Sequence, residues 1–94
     1  MLSKIPGDLS KLSQENLNQE LLRVAIIAEL DAINLYEQLA ALTDDNDIRK
    51  VFLDIAKEEK THVGEFQTML LRLDKEQVEE MKHGQKEIKE LTGK

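Results

Sequence analysis

Between residues 47 and 73 the chain marks out one stripe: Ile48, Phe52, Ile55, Glu59, His62, Phe66, Met69 and Leu73. The steps alternate four and three without a break, which is the spacing of one packed face of an α-helix. A strand, with its period of two, cannot produce it. Six of the eight are large and apolar. The two exceptions, Glu59 and His62, are neighbours on the stripe. A second helix is predicted over 16–42, where Leu22, Ala25, Glu29, Ala32, Tyr36 and Leu39 step by three and four. Its polar members, Glu29 and Tyr36, also fall on the inner stripe.

The punctuation between these segments is "TDDND", residues 43–47. Its Asp and Asn residues suit an N-cap, and its acids suit the positive end of a helix dipole. Asp74 is placed to cap a third, shorter helix over 75–91. Residues 1–15 read as an irregular N-terminal arm, with Pro6-Gly7 as a breaker. Short connections between long helices imply an antiparallel hairpin in a single domain spanning residues 1–94.

A chain of 94 residues with only Phe52, Phe66 and Tyr36 as aromatics builds a small core at most. The segment 21–42 is apolar around most of its circumference, and Ile26, Leu30 and Ile33 form a second stripe beside the one carrying Glu29. One hairpin cannot cover both stripes, so at least two interfaces with other copies are expected, with the second stripe buried in one of them.

A net charge of −6 argues against a nucleic-acid surface. No 18-residue apolar run spans a membrane, and the first residues lack the apolar stretch of a signal peptide. A cytoplasmic location is expected. Without cysteine, thiolate metal sites are excluded.

An ionised carboxylate buried alone costs several kcal/mol. No lysine or arginine lies on either stripe to neutralise Glu29 and Glu59. A divalent cation is the simplest partner. The alternative is a polar layer in which Glu59 pairs with a protonated His62 and Glu29 is protonated. Tyr36 lies seven residues beyond Glu29, about 10.5 Å along the axis. Its hydroxyl either orients a carboxylate ligand or is an ordinary core hydroxyl. His83, flanked by charge and Gly84, reads as surface, and Asp31 and Glu65 as solvated acids.

Di-metal carboxylate bundles use a Glu from each of two helices and a Glu-x-x-His from each of two others. This chain holds one of each, half the ligands on half the helices, and a two-fold dimer supplies the rest. Iron or manganese suits oxygen ligands with one imidazole per metal, and zinc is admitted as an inert occupant.

The segments "AELDAINLYEQ" and "EEKTHVGEF", with Glu29 and Glu59 thirty positions apart, resemble the encapsulated ferritins, half-length ferritin-like cargo of encapsulin nanocompartments. The resemblance runs from about Glu20 to Thr92 and is nearest to the archaeal ferritin-like domain fused ahead of an encapsulin shell protein. It implies an all-α fold, an antiparallel two-helix hairpin plus a shorter C-terminal helix. That unit is half of a ferritin-like four-helix bundle completed by dimerisation. It also implies an annular decamer, two iron ions per dimer at an inter-subunit site, and ferroxidase activity delivering ferric iron into the shell. Glu29, Glu59 and His62 are then metal ligands, Glu59 the bridging one, with Tyr36 beside the site.

Two features depart from that pattern. Ala28 stands where some relatives carry a further acid of an outer metal site. The sequence ends in "KELTGK" rather than the targeting tail of stand-alone cargo relatives, so the expectation of encapsulation rests on the natural chain continuing into a shell domain. Two rival functions stay open. One is a rubrerythrin-like peroxidase, which usually carries an added cysteine-rich iron domain. The other is a non-catalytic hairpin that only oligomerises.

Overall fold

The computed structural model describes residues 14–94. Three helices account for nearly all of them: α1 (Gln14–Leu42), α2 (Asn46–Leu73) and α3 (Lys75–Thr92). No strand occurs among the described residues. Helix α1 starts two residues ahead of the expected Asn16, so Gln14 and Glu15 belong to the helix. The rest of the expected arm lies outside the described residues.

The turn between α1 and α2 is held by side chains that satisfy the groups two helix ends leave unpaired. The Asp45 carboxylate accepts the N–H groups of Asp47 at 2.9 Å and Ile48 at 3.0 Å, capping α2. Arg49 reaches back over the turn. Its Nε donates to the carbonyl of Ala40 at 3.1 Å, one Nη to the carbonyl of Thr43, and the other to Asn46 Oδ1 at 2.7 Å. One side chain of α2 thereby occupies the open carbonyls of α1, where a cation is also favoured by the helix dipole.

The two helices then run back along each other in opposite directions. Ala40 meets Arg49, Tyr36 meets Phe52, Glu29 meets His62, and Gln19 meets Leu73. The core between them is made of Ala32, Ile33, Ala40, Ala56 and Leu70. Three alanines in five let the backbones approach closely. Leu70 contributes the larger apolar burial, about 2–3 kcal/mol for a side chain of its size.

This core corrects one expectation. Ile33 was placed on the outer stripe to be covered by another chain, but it is 9% exposed within this one. Its stripe neighbour Leu30 remains 49% exposed. Glu29, Ala32 and Tyr36 of the expected inner stripe do face α2, but a helix apolar around most of its circumference does not mark where the contact stops, and the close alanine contacts carry it round to Ile33. On α2 the buried positions, Ala56 and Leu70, lie beside the Ile48–Leu73 stripe rather than on it. That stripe consequently lies at the margin of the hairpin contact, with Ile48 and Met69 exposed.

Asp74 ends α2 and starts α3 in a single residue. Its N–H donates to the Leu70 carbonyl at 2.9 Å, and its carboxylate accepts the Gln77 N–H at 3.0 Å. Arg23 of α1 clasps the same carboxylate at 2.9 Å. Helix α3 buries no residue and ends at Gly93, whose φ of 76° is the left-handed conformation that glycine adopts without a Cβ penalty. The described chain measures 47 × 43 × 19 Å. The smallest dimension is about two helix diameters, so α3 does not cover the hairpin as a further layer. No described helix is long and apolar enough to cross a membrane.

Candidate metal centre

Midway along the hairpin, Glu29 from α1 meets Glu59 and His62 from α2. The three-residue step places Glu59 and His62 on one face, close to one helical turn apart. The antiparallel pairing brings Glu29 opposite them. His62 Nδ1 lies 3.2 Å from Glu59 Oε2 and 3.4 Å from Glu29 Oε2. One donor atom from each residue falls within 4.8 Å of the other two. Neighbouring ligands bonded to one ion at about 2.1 Å lie roughly 3–4 Å apart, so the two His–Glu spacings already match a first-row divalent ion and the group as a whole comes close to it. Two carboxylates and one imidazole are also the donor types such ions accept.

The site is covered unequally. The carboxylate side chains of Glu29 and Glu59 are 21% and 19% exposed, and the His62 imidazole is 45% exposed. The carboxylates are partly withdrawn from water while the imidazole stands at the open edge. Among the described residues no lysine or arginine pairs with either carboxylate. Lys60 pairs with Glu37 at 3.3 Å on the exposed surface, and Arg23 and Arg49 are engaged at the two ends of the hairpin.

Tyr36 lies on the same side of α1, with its ring against Phe52 at a centroid separation of 6.2 Å and an interplanar angle of 29°. Among the described residues its hydroxyl donates to neither Glu29 nor Glu59. Glu58, Glu65 and Asp54 are exposed, and Asp31 is half-buried. His83 is exposed on α3, away from the hairpin residues that form the group. Sequence pattern did not single out Arg23 and Arg49, which fix the two ends of the hairpin. Arg49 stands two residues after the predicted start of its helix and Arg23 seven residues after the predicted start of its own, so no shared spacing marked them. Asp74 is held below the usual carboxylate range, first by the Gln77 N–H and then by the Arg23 guanidinium.

A two-helix hairpin with a glutamate on one helix and Glu-x-x-His on the next is ferritin-like in architecture. Superposition agrees: the encapsulated ferritin domain from Pyrococcus furiosus matches with a TM-score of 0.85 and 57% identity, over 96% of this chain and 90% of that one. The chain belongs to the rubrerythrin family, whose model matches residues 20–93.

Among curated relatives, the ferritin-like-encapsulin shell fusion protein of Pyrococcus furiosus is 65% identical over 74 residues. That match covers 79% of this chain and 21% of the fusion protein. The encapsulin nanocompartment cargo protein EncC of Myxococcus xanthus is 35% identical over 71 residues, covering 76% of this chain and 55% of EncC. The chain thus spans about a fifth of the first relative and just over half of the second.

Proposed function

We propose that this domain is a ferroxidase. It oxidises Fe²⁺ to Fe³⁺ at a two-iron site formed between two copies of the chain, for mineral storage inside an encapsulin shell. The observation that carries the reading is the meeting of Glu29, Glu59 and His62 at the margin of a two-helix unit, with the imidazole facing out. Three protein ligands at an open edge hold an ion incompletely. A second hairpin related by a two-fold axis brings the same three from the other side and completes a four-helix set. Location inside a shell rests on the names of the relatives, an encapsulin fusion protein and an encapsulin cargo protein.

The substrate ions supply the redox change: two Fe²⁺ give up one electron each, so a two-electron oxidant is reduced without a free one-electron product. The residues of the chain do the rest. Glu29 and Glu59 supply negative charge that attracts Fe²⁺ and favours the higher charge of Fe³⁺. Glu59 would be the carboxylate that serves both ions. His62 supplies the single nitrogen donor per ion. Tyr36, whose ring stacks on Phe52, stands about two helical turns along α1 from Glu29 on the same side of the helix.

The test is aerobic addition of Fe²⁺ to the metal-free protein, with Fe³⁺ followed optically and O₂ by electrode. The expected result is oxidation faster than in protein-free buffer, together with a native mass that rises to a multiple of the dimer when Fe²⁺ is present. A protein-independent rate overturns the enzymatic reading. Oxidation by peroxide but not by O₂ would favour a peroxidase.

A further inference from the structure

Helix α3 is amphipathic, and the described chain leaves most of its apolar face uncovered. Val78, Met81, Ile88 and Leu91 lie on one side of it, with Gly84 in their midst. At the N-terminal end of that face Met81 lines a groove with Ile26, Leu70 and Leu71 of its own hairpin. Beyond Met81 every residue from 82 to 94 is exposed, Ile88 at 57% and Leu91 at 81%. So short a helix is marginal in water by itself and is normally held by the packing of its apolar face. Residues 82–92, about three turns of α3, have no such packing among the described residues.

Gly84 is a second, separate indication. It lies in the interior of α3, where glycine weakens a helix relative to alanine. A Cβ there would meet nothing within 4 Å, so no contact inside the described chain calls for glycine. It stands on the apolar face between Met81 and Ile88, and lines a shallow groove with Ile88 and Leu91. A residue without a side chain at that point lets the backbone of another helix come close.

The charges at the two edges of the face identify that helix. Lys82 and Lys89 fall on one edge, about 100° from the centre of the face, and Glu80 and Glu87 fall about equally far round on the other. Two copies of α3 can meet about a two-fold axis in two ways. In an antiparallel pair, glutamate edge meets glutamate edge and lysine edge meets lysine edge. In a parallel pair each glutamate edge meets a lysine edge, the kind of matching that sets orientation in paired helices. Glu80 then stands two residues, about 3 Å along the axis, from Lys82 of the second copy, and Glu87 likewise from Lys89. Within one chain Lys82 pairs with Glu79 at 3.5 Å, an exposed pair weak enough to exchange. A second α3 supplies an apolar face of the same length together with the opposite charge at both edges.

We infer that α3 is a pairing helix, whose segment from Gly84 to Leu91 packs in parallel against the same segment of a second copy of this chain. The contact uses no residue of the hairpin centre and needs no metal, so its test is separate from that of the ferroxidase reading.

The test uses the metal-free full chain in EDTA, by native mass spectrometry and sedimentation. Ile88→Glu puts a charge on the face and should lower the native mass at least twofold while the helical circular dichroism of the hairpin remains. An unchanged mass overturns the pairing. Glu80→Lys with Glu87→Lys makes both edges basic, and Lys82→Glu with Lys89→Glu makes both acidic. Each double variant alone should lose the association, and an equimolar mixture of the two should regain it. A mixture that stays apart overturns the proposal. Direction is read by cross-linking, since the chain has no cysteine of its own. Thr92→Cys lies on the apolar side at the C-terminal end, so parallel pairing brings its two copies together and should give a disulfide-linked dimer under mild oxidation. An antiparallel pair centred on Gly84 would hold them about 24 Å apart. Glu90→Cys, on the opposite side of the helix, should stay unlinked. Equal linkage of both positions, or of neither, overturns the parallel pair.

Discussion

His62 Nδ1 stands 3.4 Å from Glu29 Oε2, across the contact between α2 and α1. Glu59 Oε2 lies at 3.2 Å from the same nitrogen. Two acids and an imidazole converge there with no lysine or arginine pairing among the described residues. Each is therefore expected to matter for metal binding out of proportion to its contribution to packing. His62→Ala removes a side chain that is 45% exposed and should leave the helical circular dichroism nearly unchanged. The wild type, reconstituted without oxygen, should take up about one Fe²⁺ per chain, two per dimer. The variant should take up none stably. Full stoichiometry in the variant would remove His62 from the ligand set.

Turnover separates the site from the acidity of the surface. Glu58 and Glu59 are adjacent and equally charged, but one helical step turns the side chain by about 100°. Glu59 faces His62, whereas Glu58 is exposed. Glu29→Ala and Glu59→Ala should each lose most Fe³⁺ formation. Glu58→Ala alters only a field screened over about 8–10 Å at physiological salt and should be near normal. Tyr36→Phe keeps the stacking on Phe52 and removes only the hydroxyl, so its rate should fall between the two extremes. Equal losses at positions 58 and 59 would assign the activity to general surface charge.

How much of this was legible in the sequence differs from residue to residue. The alternating four-and-three spacing around Glu59 and His62 is a strong periodic signal, and it places them on one face with no knowledge of the partner helix. Pairing with Glu29 follows once the turn at 43–45 fixes the register. The inner face of α1 was legible in part: Glu29, Ala32 and Tyr36 of the expected stripe do face α2. Its edge was not, because apolar residues on most sides of α1 do not mark where the contact stops, and the close approach at Ala32, Ala40 and Ala56 carries it round to Ile33. The clasps made by Arg23 and Arg49 depend on distances between chain segments, which periodicity does not encode.

The rotation of α1 makes a prediction about assembly. Leu30 is 49% exposed and Ile33 is 9% exposed, although both are apolar and only three residues apart. If the outer stripe of α1 is covered by another copy, Leu30→Lys puts a charge into that interface. The expected result is a smaller species by native mass spectrometry with helicity retained. Ile33→Lys instead buries a charge within the hairpin and should lower the melting temperature of the chain itself. An assembly of unchanged mass in Leu30→Lys would show that this part of the stripe is not a contact between copies.

The joint between α2 and α3 carries a pH dependence whose sign is fixed by Asp74. The Gln77 N–H and the Arg23 guanidinium favour the ionised carboxylate and hold its pKa below the ordinary value. In the unfolded chain the same group titrates near pH 4. Its stabilising contribution is therefore fully present above about pH 4 and is lost as pH falls through the lower, folded-state pKa. Asp74→Asn keeps an oxygen for the Gln77 N–H but removes the charge opposite Arg23. Below pH 4 the wild type and the variant should converge in melting temperature, and above it the wild type should be the more stable. The other acids of this chain titrate in both proteins, so the difference between the two curves isolates Asp74. Parallel curves from pH 7 to pH 2 would mean that the Arg23 clasp adds no net stability and that the cap alone holds the joint.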